Sequence, residues 1–321
     1  MTRCRIIRVP VEQGTKQIPR RPRCLRGSRF PGMPAFLILK VVRTIAATRR
    51  SCRAQSGPVV LVPTMGALHA GHVALLQTAR RLAGADGCVI ASIFVNPTQF
   101  GPKEDLSRYP RPFAADRKIC AAQGVDLIFH PDAEEMYAPD FSTYVEEASV
   151  SLPLCGASRP GHFRGVCTVV LKLLNIVQPH TAVFGLKDYQ QCAVIRRMVR
   201  DLDLPVRIVA VPTVRESDGL ALSSRNLFLS AEERAQAPVL RRALLRAQAA
   251  WRTGENRPAR LRKILALELA RAPLARIDYA EIIDGDSLQA VTKADRNTVI
   301  ALAVFFGTTR LIDNLQLGSS R

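Results

Sequence analysis

The chain has 321 residues, 47% of them hydrophobic and 23% charged, with a net charge of +19. That length serves one large or two ordinary folded domains, and the charged share excludes a disordered or low-complexity protein. No apolar run approaches the roughly 20 residues that cross a bilayer, which excludes a membrane-spanning protein. The eight cysteines form no CxxC pair and no zinc-like spacing with histidine, the pattern of buried free thiols in a reducing cytosol.

The charge is unevenly placed. Residues 1–53 carry 14 of the 46 Lys and Arg against one acid, Glu12, so the remainder holds 32 basic against 26 acidic residues. The basicity belongs mostly to an amino-terminal arm, and a basic nucleic-acid-binding face is not indicated. Residues 1–32 are rich in Arg and Pro and show neither helical nor strand period. Three readings fit them: an upstream start with Met33 the true first residue, a disordered basic arm, or an organelle-targeting peptide. Prolines at 10, 19, 22 and 31 argue against an amphipathic targeting helix.

From about residue 57 apolar strands alternate with amphipathic helices. Strands are expected at Val59 to Pro63, Cys88 to Val95, Val125 to Phe129, Thr181 to Phe184 and Val206 to Val211. Helices are expected at His72 to Leu82, Pro112 to Gln123, Gly165 to Val177 and Tyr189 to Leu202. Continuous apolar strands separated by helices imply a parallel sheet covered on both faces. The fold class is therefore α/β, a doubly wound sheet over residues 33–213 that takes its ligands beyond the carboxyl ends of its strands. After about Thr213 the pattern changes. One long helix is expected from Ser230 to Arg252, a loop at 248–262, a helix from Arg257 to Ala270, and strands at Ile277 to Ile283 and Thr298 to Phe306. Residues 214–321 thus read as a smaller α+β domain.

The strongest motif is VPTMGALHAGH, Val62 to His72, which leaves a buried strand and opens a helix. Gly66 and Gly71 let the backbone approach a ligand. A helix amino terminus with free N–H groups seats phosphate. His69 and His72 can face one pocket there and donate hydrogen bonds to phosphoryl oxygens. FVNPTQFGPKEDLSRYPR, Phe94 to Arg111, supplies the amides of Asn96 and Gln99, suited to a substrate with hydroxyl and carboxylate groups. In FGLKDYQQ, Phe184 to Gln191, Lys187 offers a point charge to triphosphate oxygens, and Gln191 follows one helical turn later. LALSSRNLFLS, Leu220 to Ser230, clusters Ser223, Ser224 and Arg225 in a loop able to close over pyrophosphate. GASRPGHFRGV, Gly156 to Val166, reads as an anion-binding or gating loop.

In this order the segments PTMGALHxGH, FVNPTQF, GHFRGV, KDYQQ and LSSRN resemble the pantothenate synthetase (pantoate–β-alanine ligase) family, over about Val42 to Leu315. HxGH alone is shared with many nucleotidylyltransferases and class I aminoacyl-tRNA synthetases; the set is far more specific. The resemblance implies a Rossmann-like domain with a carboxyl-terminal lid, usually in a cytoplasmic homodimer. It implies ATP as a substrate with Mg²⁺, and condensation of (R)-pantoate with β-alanine through a pantoyl-adenylate. Met65, Gly66, Ala67, Leu68, His69, Ala70, Gly71 and His72 would line the ATP site, with His72 the catalytic histidine and His69 on ATP phosphate. Gly185, Leu186, Lys187 and Asp188 would also bind ATP, with Lys187 on its phosphates. Val214 would contact adenine, and Leu222, Ser223, Ser224 and Arg225 would close over the phosphates. Gln99 and Gln191 would bind pantoate, with Asn96 beside them, and Gln99 would adjoin β-alanine. No protein cage for Mg²⁺ is visible, so the ion is expected to ride on the phosphates. Leu186 stands where the family usually has a polar residue, Leu222 where methionine is common, and the arm 1–32 has no counterpart. Two rivals differ in class: a nucleotidylyltransferase of the same superfamily, and a nucleic-acid-binding protein using the arm, which would leave the histidine and KDYQQ motifs unexplained.

Overall fold

The computed structural model describes residues 39–319 except 103 and 105. The expectations for the arm, and for residues 33–38 as the start of the first domain, fall outside the described residues.

A six-stranded sheet in the order β1-β4-β3-β2-β5-β6 forms the centre. Its strands are β1 (Lys40–Val42), β2 (Val59–Thr64), β3 (Cys88–Ile93), β4 (Leu127–Phe129), β5 (Thr181–Gly185) and β6 (Arg207–Val211), and every paired neighbour is parallel. Both faces are covered, which explains the unbroken apolar strands. Val60, Val62, Val89, Ala91, Ile128 and Val183 point to one core, and Leu61, Ile90, Phe129, Ala182 and Phe184 to the other. Each such large side chain contributes about 1.5–3 kcal/mol on burial. The chain runs outward from β2 to one edge and from β5 to the other, so the strand order reverses between them. That reversal opens a crevice at the carboxyl ends of β2 and β5.

Connecting helices are α1 (Ile45–Arg53), α2 (Ala70–Ala83), α3 (Phe113–Ala122), the short α4 (Ala133–Met136) and α5 (Cys155–Ser158), α6 (His162–Val177) and α7 (Tyr189–Asp201). α2 buries Leu75, Leu76, Ala79 and Ala83, the spacing of one helical stripe. α6 starts three residues before the sequence suggests and is mostly buried. β1 and α1 carry too short and too basic a pattern to be read as elements. They form because Val42 and Cys52 complete the core, and because Thr44 caps α1 by accepting from the Ala47 N–H at 3.2 Å.

The carboxyl-terminal part corrects two expectations. The single helix expected from Ser230 to Arg252 is two, α8 (Ala231–Gln236) and α9 (Val239–Arg252). Pro238 cannot donate a helical hydrogen bond and separates them, while Ser230 and Glu233 form a capping box before α8. The loop expected at 248–262 shrinks to residues 253–257, because α9 runs to Arg252 and α10 (Pro258–Leu269) begins at a proline well placed in a first turn. α9 and α10 cover an antiparallel sheet of β7 (Ala275–Asp284), β8 (Thr298–Phe306) and β9 (Thr309–Gln316). β9 was not expected from sequence. Asp313 interrupts its apolar alternation, although Leu311, Asp313 and Leu315 are all buried. Both sheets lie in one compact unit, Leu37–Arg321. Among the described residues no helix is long and apolar enough to cross a membrane, and Cys52, Cys88, Cys120, Cys155, Cys167 and Cys192 are free and buried. Cys4 and Cys24 lie outside the described residues.

Candidate active site

The turn between β2 and α2 forms the floor of the crevice. Gly66 and Ala67 have φ of 84° and 51°, a left-handed pair that an alanine adopts only at a cost of about 1–2 kcal/mol. A carboxylate offsets the strain. Asp116 on α3 is 1% exposed, and it accepts from the Ala67 N–H at 2.9 Å and the Leu68 N–H at 2.8 Å. A side chain on Gly66 would place its Cβ 2.9 Å from Asp116 Oδ2. The motif therefore keeps its shape through an acid 48 residues downstream of Leu68.

The two imidazoles are held by the backbone. His69 Nδ1 accepts from the Gly71 N–H at 3.1 Å, and His72 Nδ1 accepts from the His69 N–H at 3.3 Å. Each Nδ1 is therefore unprotonated, and each neutral ring carries its proton on Nε2. The rings lie 4.2 Å apart. Burial, then Lys187, lowers the His69 pKa to about 4. Burial, then the neighbouring His69 and Lys187, lowers that of His72 to about 3. At neutral pH the pair presents two uncharged N–H donors. Phosphate oxygens nearby favour the protonated form, so a bound triphosphate raises both values.

The amides divide their labour. Asn96 Nδ2 donates to Gln99 Oε1 at 3.0 Å and to the Gly165 carbonyl at 3.2 Å. Its Oδ1 accepts from Thr98 at 3.0 Å and from Tyr137 at 2.7 Å. Asn96, 1% exposed, has spent every hydrogen-bonding position on the protein. Gly165 permits this approach, since a Cβ there would meet the Thr98 carbonyl oxygen at 2.3 Å. Because Gln99 Oε1 is tied to Asn96, Gln99 Nε2 faces the chamber, with a contact of 3.2 Å to Met65 Sδ. It is a donor whose protein partner is the weak acceptor Met65 Sδ. In KDYQQ, Gln190 is structural: it accepts from the Cys155 N–H at 3.0 Å and donates to the Val150 carbonyl at 3.0 Å. Gln191 lines the chamber instead.

Two connected spaces result. An inner chamber of about 240 Å³ is lined by Met65, His69, Gly71, His72, Asn96, Gln99, Gly185, Lys187, Asp188, Gln191, Val214, Leu222, Ser223, Ser224 and Arg225. Four distant stretches thus meet in one cavity, as the motifs require. Gly66, Ala67, Leu68, Ala70 and Leu186 do not line it. Leu68 is buried beneath the turn, Ala70 is exposed, and Leu186 is reached through its carbonyl oxygen. An outer cleft of about 690 Å³ shares Lys187, Asp188, Gln191, Ser223 and Arg225 and is walled by β8 and β9. Lys187 Nζ stands 3.9 Å from Asp188, the one acid lining the inner chamber among the described residues. Ser223 caps its own turn by accepting from the Arg225 N–H at 3.2 Å.

Sequence reasoning missed several residues here. Asp116 is the clearest, and its signal was an acid at a core position of an amphipathic helix, between Phe113 and Cys120. Arg159 and His162, read only as an anion-binding or gating loop, line the chamber. Arg159 grips Glu104 through two hydrogen bonds of 2.7 and 2.5 Å, so its charge is already matched. His162 Nδ1 lies 2.8 Å from the Gln99 carbonyl, and its Nε2 lies 3.2 Å from Arg159. That makes Nδ1 the protonated nitrogen, and burial followed by Arg159 lowers the pKa to about 4. The pair braces the backbone of Gln99. No sequence spacing announces it, since Glu104 and Arg159 are 55 residues apart.

Comparison with known proteins shows the family. The family model described as pantoate-beta-alanine ligase matches residues 38–316. The pantothenate synthetase of Thermotoga neapolitana is 50% identical over 283 residues, 87% of this chain and 100% of that protein. That of Geobacter sulfurreducens is 51% identical over 284 residues, 88% of this chain and 99% of that protein. The crystal structure of pantothenate synthetase from Thermus thermophilus superposes with a TM-score of 0.82 at 47% identity, covering 88% of this chain and 100% of that one. A pantoate-beta-alanine ligase from Francisella tularensis, complexed with beta-gamma ATP and beta-alanine, gives a TM-score of 0.73 at 32% identity over 88% of this chain and 99% of that one.

Proposed function

The chain belongs to the pantoate–β-alanine ligase family, and from that premise we propose how its own residues carry an ATP-dependent amide ligation in two steps. The carboxylate of (R)-pantoate attacks the α-phosphorus of ATP, forming pantoyl-adenylate and releasing pyrophosphate. The β-alanine amine then attacks the acyl carbon, forming pantothenate and releasing AMP.

The first step brings two anions together, and its barrier is mainly electrostatic. His69 and His72 donate from Nε2 to phosphate oxygens, in a tautomer the backbone has fixed beforehand. Such donors need no reorganisation as charge develops. Lys187, Ser223, Ser224 and Arg225 receive the β- and γ-phosphates, and Val214 receives adenine. Gln99 and Gln191 orient pantoate, and the orientation they supply is an entropic contribution to rate. Asn96 acts on pantoate through Gln99, whose amide it holds. β-Alanine reaches the adenylate beside Gln99. Magnesium would come with the triphosphate as part of the substrate, and Asp188, which lines the inner chamber, would be a carboxylate able to receive it. Residues 214–321 act as a lid over residues 33–213, excluding the water that would hydrolyse the adenylate. A cytoplasmic homodimer completes the proposal, in keeping with the free buried thiols and the family's habit.

The observation that carries the reading is the convergence of His69, His72, Gln99, Lys187 and Arg225 on one chamber at the strand-order reversal. ATP–pyrophosphate exchange tests it. Exchange should depend on pantoate, and AMP should appear when β-alanine is added. Exchange indifferent to pantoate, or pyrophosphate release with no AMP, would overturn it in favour of a nucleotidylyltransferase.

A further inference from the structure

Strand β9 offers two consecutive side chains to two different turns that border the chamber. Successive strand residues point to opposite faces, so Asp313 and Asn314 reach apart. Asn314 Nδ2 donates to the carbonyl oxygens of Leu186 and of Lys187, both at 2.9 Å. These belong to the single turn Leu186–Asp188 that presents Lys187. Asp313, 3% exposed, accepts from both terminal nitrogens of Arg215 at 2.6 and 2.9 Å. Arg215 sits in a short antiparallel turn that pairs it with Ala221, and the Leu222 N–H donates to the Val214 carbonyl at 3.0 Å. That turn runs straight into Ser223, Ser224 and Arg225.

We propose that Asn314 is a positioning residue for the nucleotide phosphates, and that with Asp313 it makes β9 the common anchor of the turns carrying Lys187 and Ser223–Arg225. This rests on the assignment of those turns to ATP. Strands β5 and β6 end at Gly185 and Val211, and Cys192 Sγ donates to the Gly185 carbonyl at 3.4 Å. The spacing between the two groups of phosphate ligands is set by one strand of the other sheet. Both hydrogens of the Asn314 amide are committed to carbonyl oxygens, so its chemistry is specific. A carboxylate in its place would set negative charge against two acceptors.

The test is the dissociation constant of Mg-ATP, measured by calorimetry on the full chain and on Asn314→Ala, Asn314→Asp, Lys187→Ala and the Asn314→Ala/Lys187→Ala double variant. Asn314→Ala should weaken binding about 10-fold, the loss of two ordinary hydrogen bonds holding a ligand group. Asn314→Asp, closer in shape to asparagine, should nevertheless be worse than Asn314→Ala. In the Lys187→Ala background Asn314→Ala should cost less than about 2-fold, because the group it positions is gone. A purely structural asparagine would give an undiminished loss in the double variant, and that result overturns the proposal, as does unchanged affinity in Asn314→Ala. If Asn314→Asp does not fold, the cycle with Asn314→Ala decides alone. Pantoate-dependent exchange by the unaltered chain is measured beside it. Normal exchange with unchanged ATP affinity in Asn314→Ala rejects only the role of β9. Weakened ATP affinity without pantoate-dependent exchange rejects only the ligase reading.

Discussion

The two walls of the chamber proposed to face phosphate are built differently. The histidine wall is made by its own turn: Gly71 and His69 N–H groups fix the rings, and a buried carboxylate, Asp116, holds the left-handed backbone. The cationic wall is borrowed. The turn of Lys187 and the approach to Arg225 take their anchors from β9, more than 90 residues away. Neutral donors tolerate a rigid local mount, because their job is to be in place before charge develops. Flexible cations gain more from an anchor shared between them, since their distance from each other must match a triphosphate. The comparison teaches that the smaller sheet braces one wall of the proposed nucleotide site, besides covering it.

Substitutions on each wall test that contrast. The largest effect is expected from His72→Ala, which removes a preorganised donor and should slow ATP–pyrophosphate exchange by about 10²- to 10³-fold with little change in melting temperature. A loss under 10-fold would mean the imidazole wall is not where charge develops. Arg215→Ala leaves Asp313 buried without its cation. It should cost about 3 kcal/mol in urea unfolding and weaken ATP binding as well, because the strap to Ser223 loosens. Stability lost with ATP affinity intact would separate the strap from the site.

Asp116→Asn keeps shape but replaces a charge-assisted acceptor. A cost of about 1–3 kcal/mol is expected, together with a raised KM for ATP, since Ala67 would relax from its left-handed conformation. The same unfolding midpoint in the variant and the unaltered chain would show that the turn holds itself. A pH series sharpens the histidine side. His69, His72 and His162 all have folded pKa values below the ordinary 6.5, to about 4, 3 and 4. The unfolded chain therefore binds more protons, and stability is fully present above about pH 6.5 and declines as pH falls toward 4. Nitrogen NMR of the ligand-free protein should show all three rings neutral at pH 6, with the proton on Nε2 of His69 and His72 and on Nδ1 of His162. The smallest effect belongs to Arg43→Ala. Arg43 and Asp132 are exposed and 3.5 Å apart, so the unfolding midpoint should move by no more than about 0.5 kcal/mol. A larger shift would mean surface pairs matter here as much as the Arg215–Asp313 pair.

Much of this was legible before any coordinates. The alternation of apolar strands and amphipathic helices from residue 57 announces a parallel sheet, because a strand buried on both faces has no polar period to show. The glycines and histidines of VPTMGALHAGH announce a ligand turn, and KDYQQ and LSSRN announce its counter-charges. Other elements escaped because their signal is not periodic. β1 is three residues long, Pro238 hides inside an otherwise helical composition, and β9 carries an acid where its pattern calls for an apolar residue. Asn96 illustrates the limit at the site itself. Its residue type fits a substrate ligand, but its four partners, Gln99, Gly165, Thr98 and Tyr137, are visible only in space.

By itself the sequence determined the architecture of the main sheet and the segments that carry chemistry, since hydrophobic period and glycine placement are local properties of the chain. Tertiary structure alone decided which tautomer His162 holds, which amide faces the chamber and what anchors Lys187. Those depend on hydrogen bonds between residues up to 128 positions apart, and a distance along the chain carries no information about a distance across the fold.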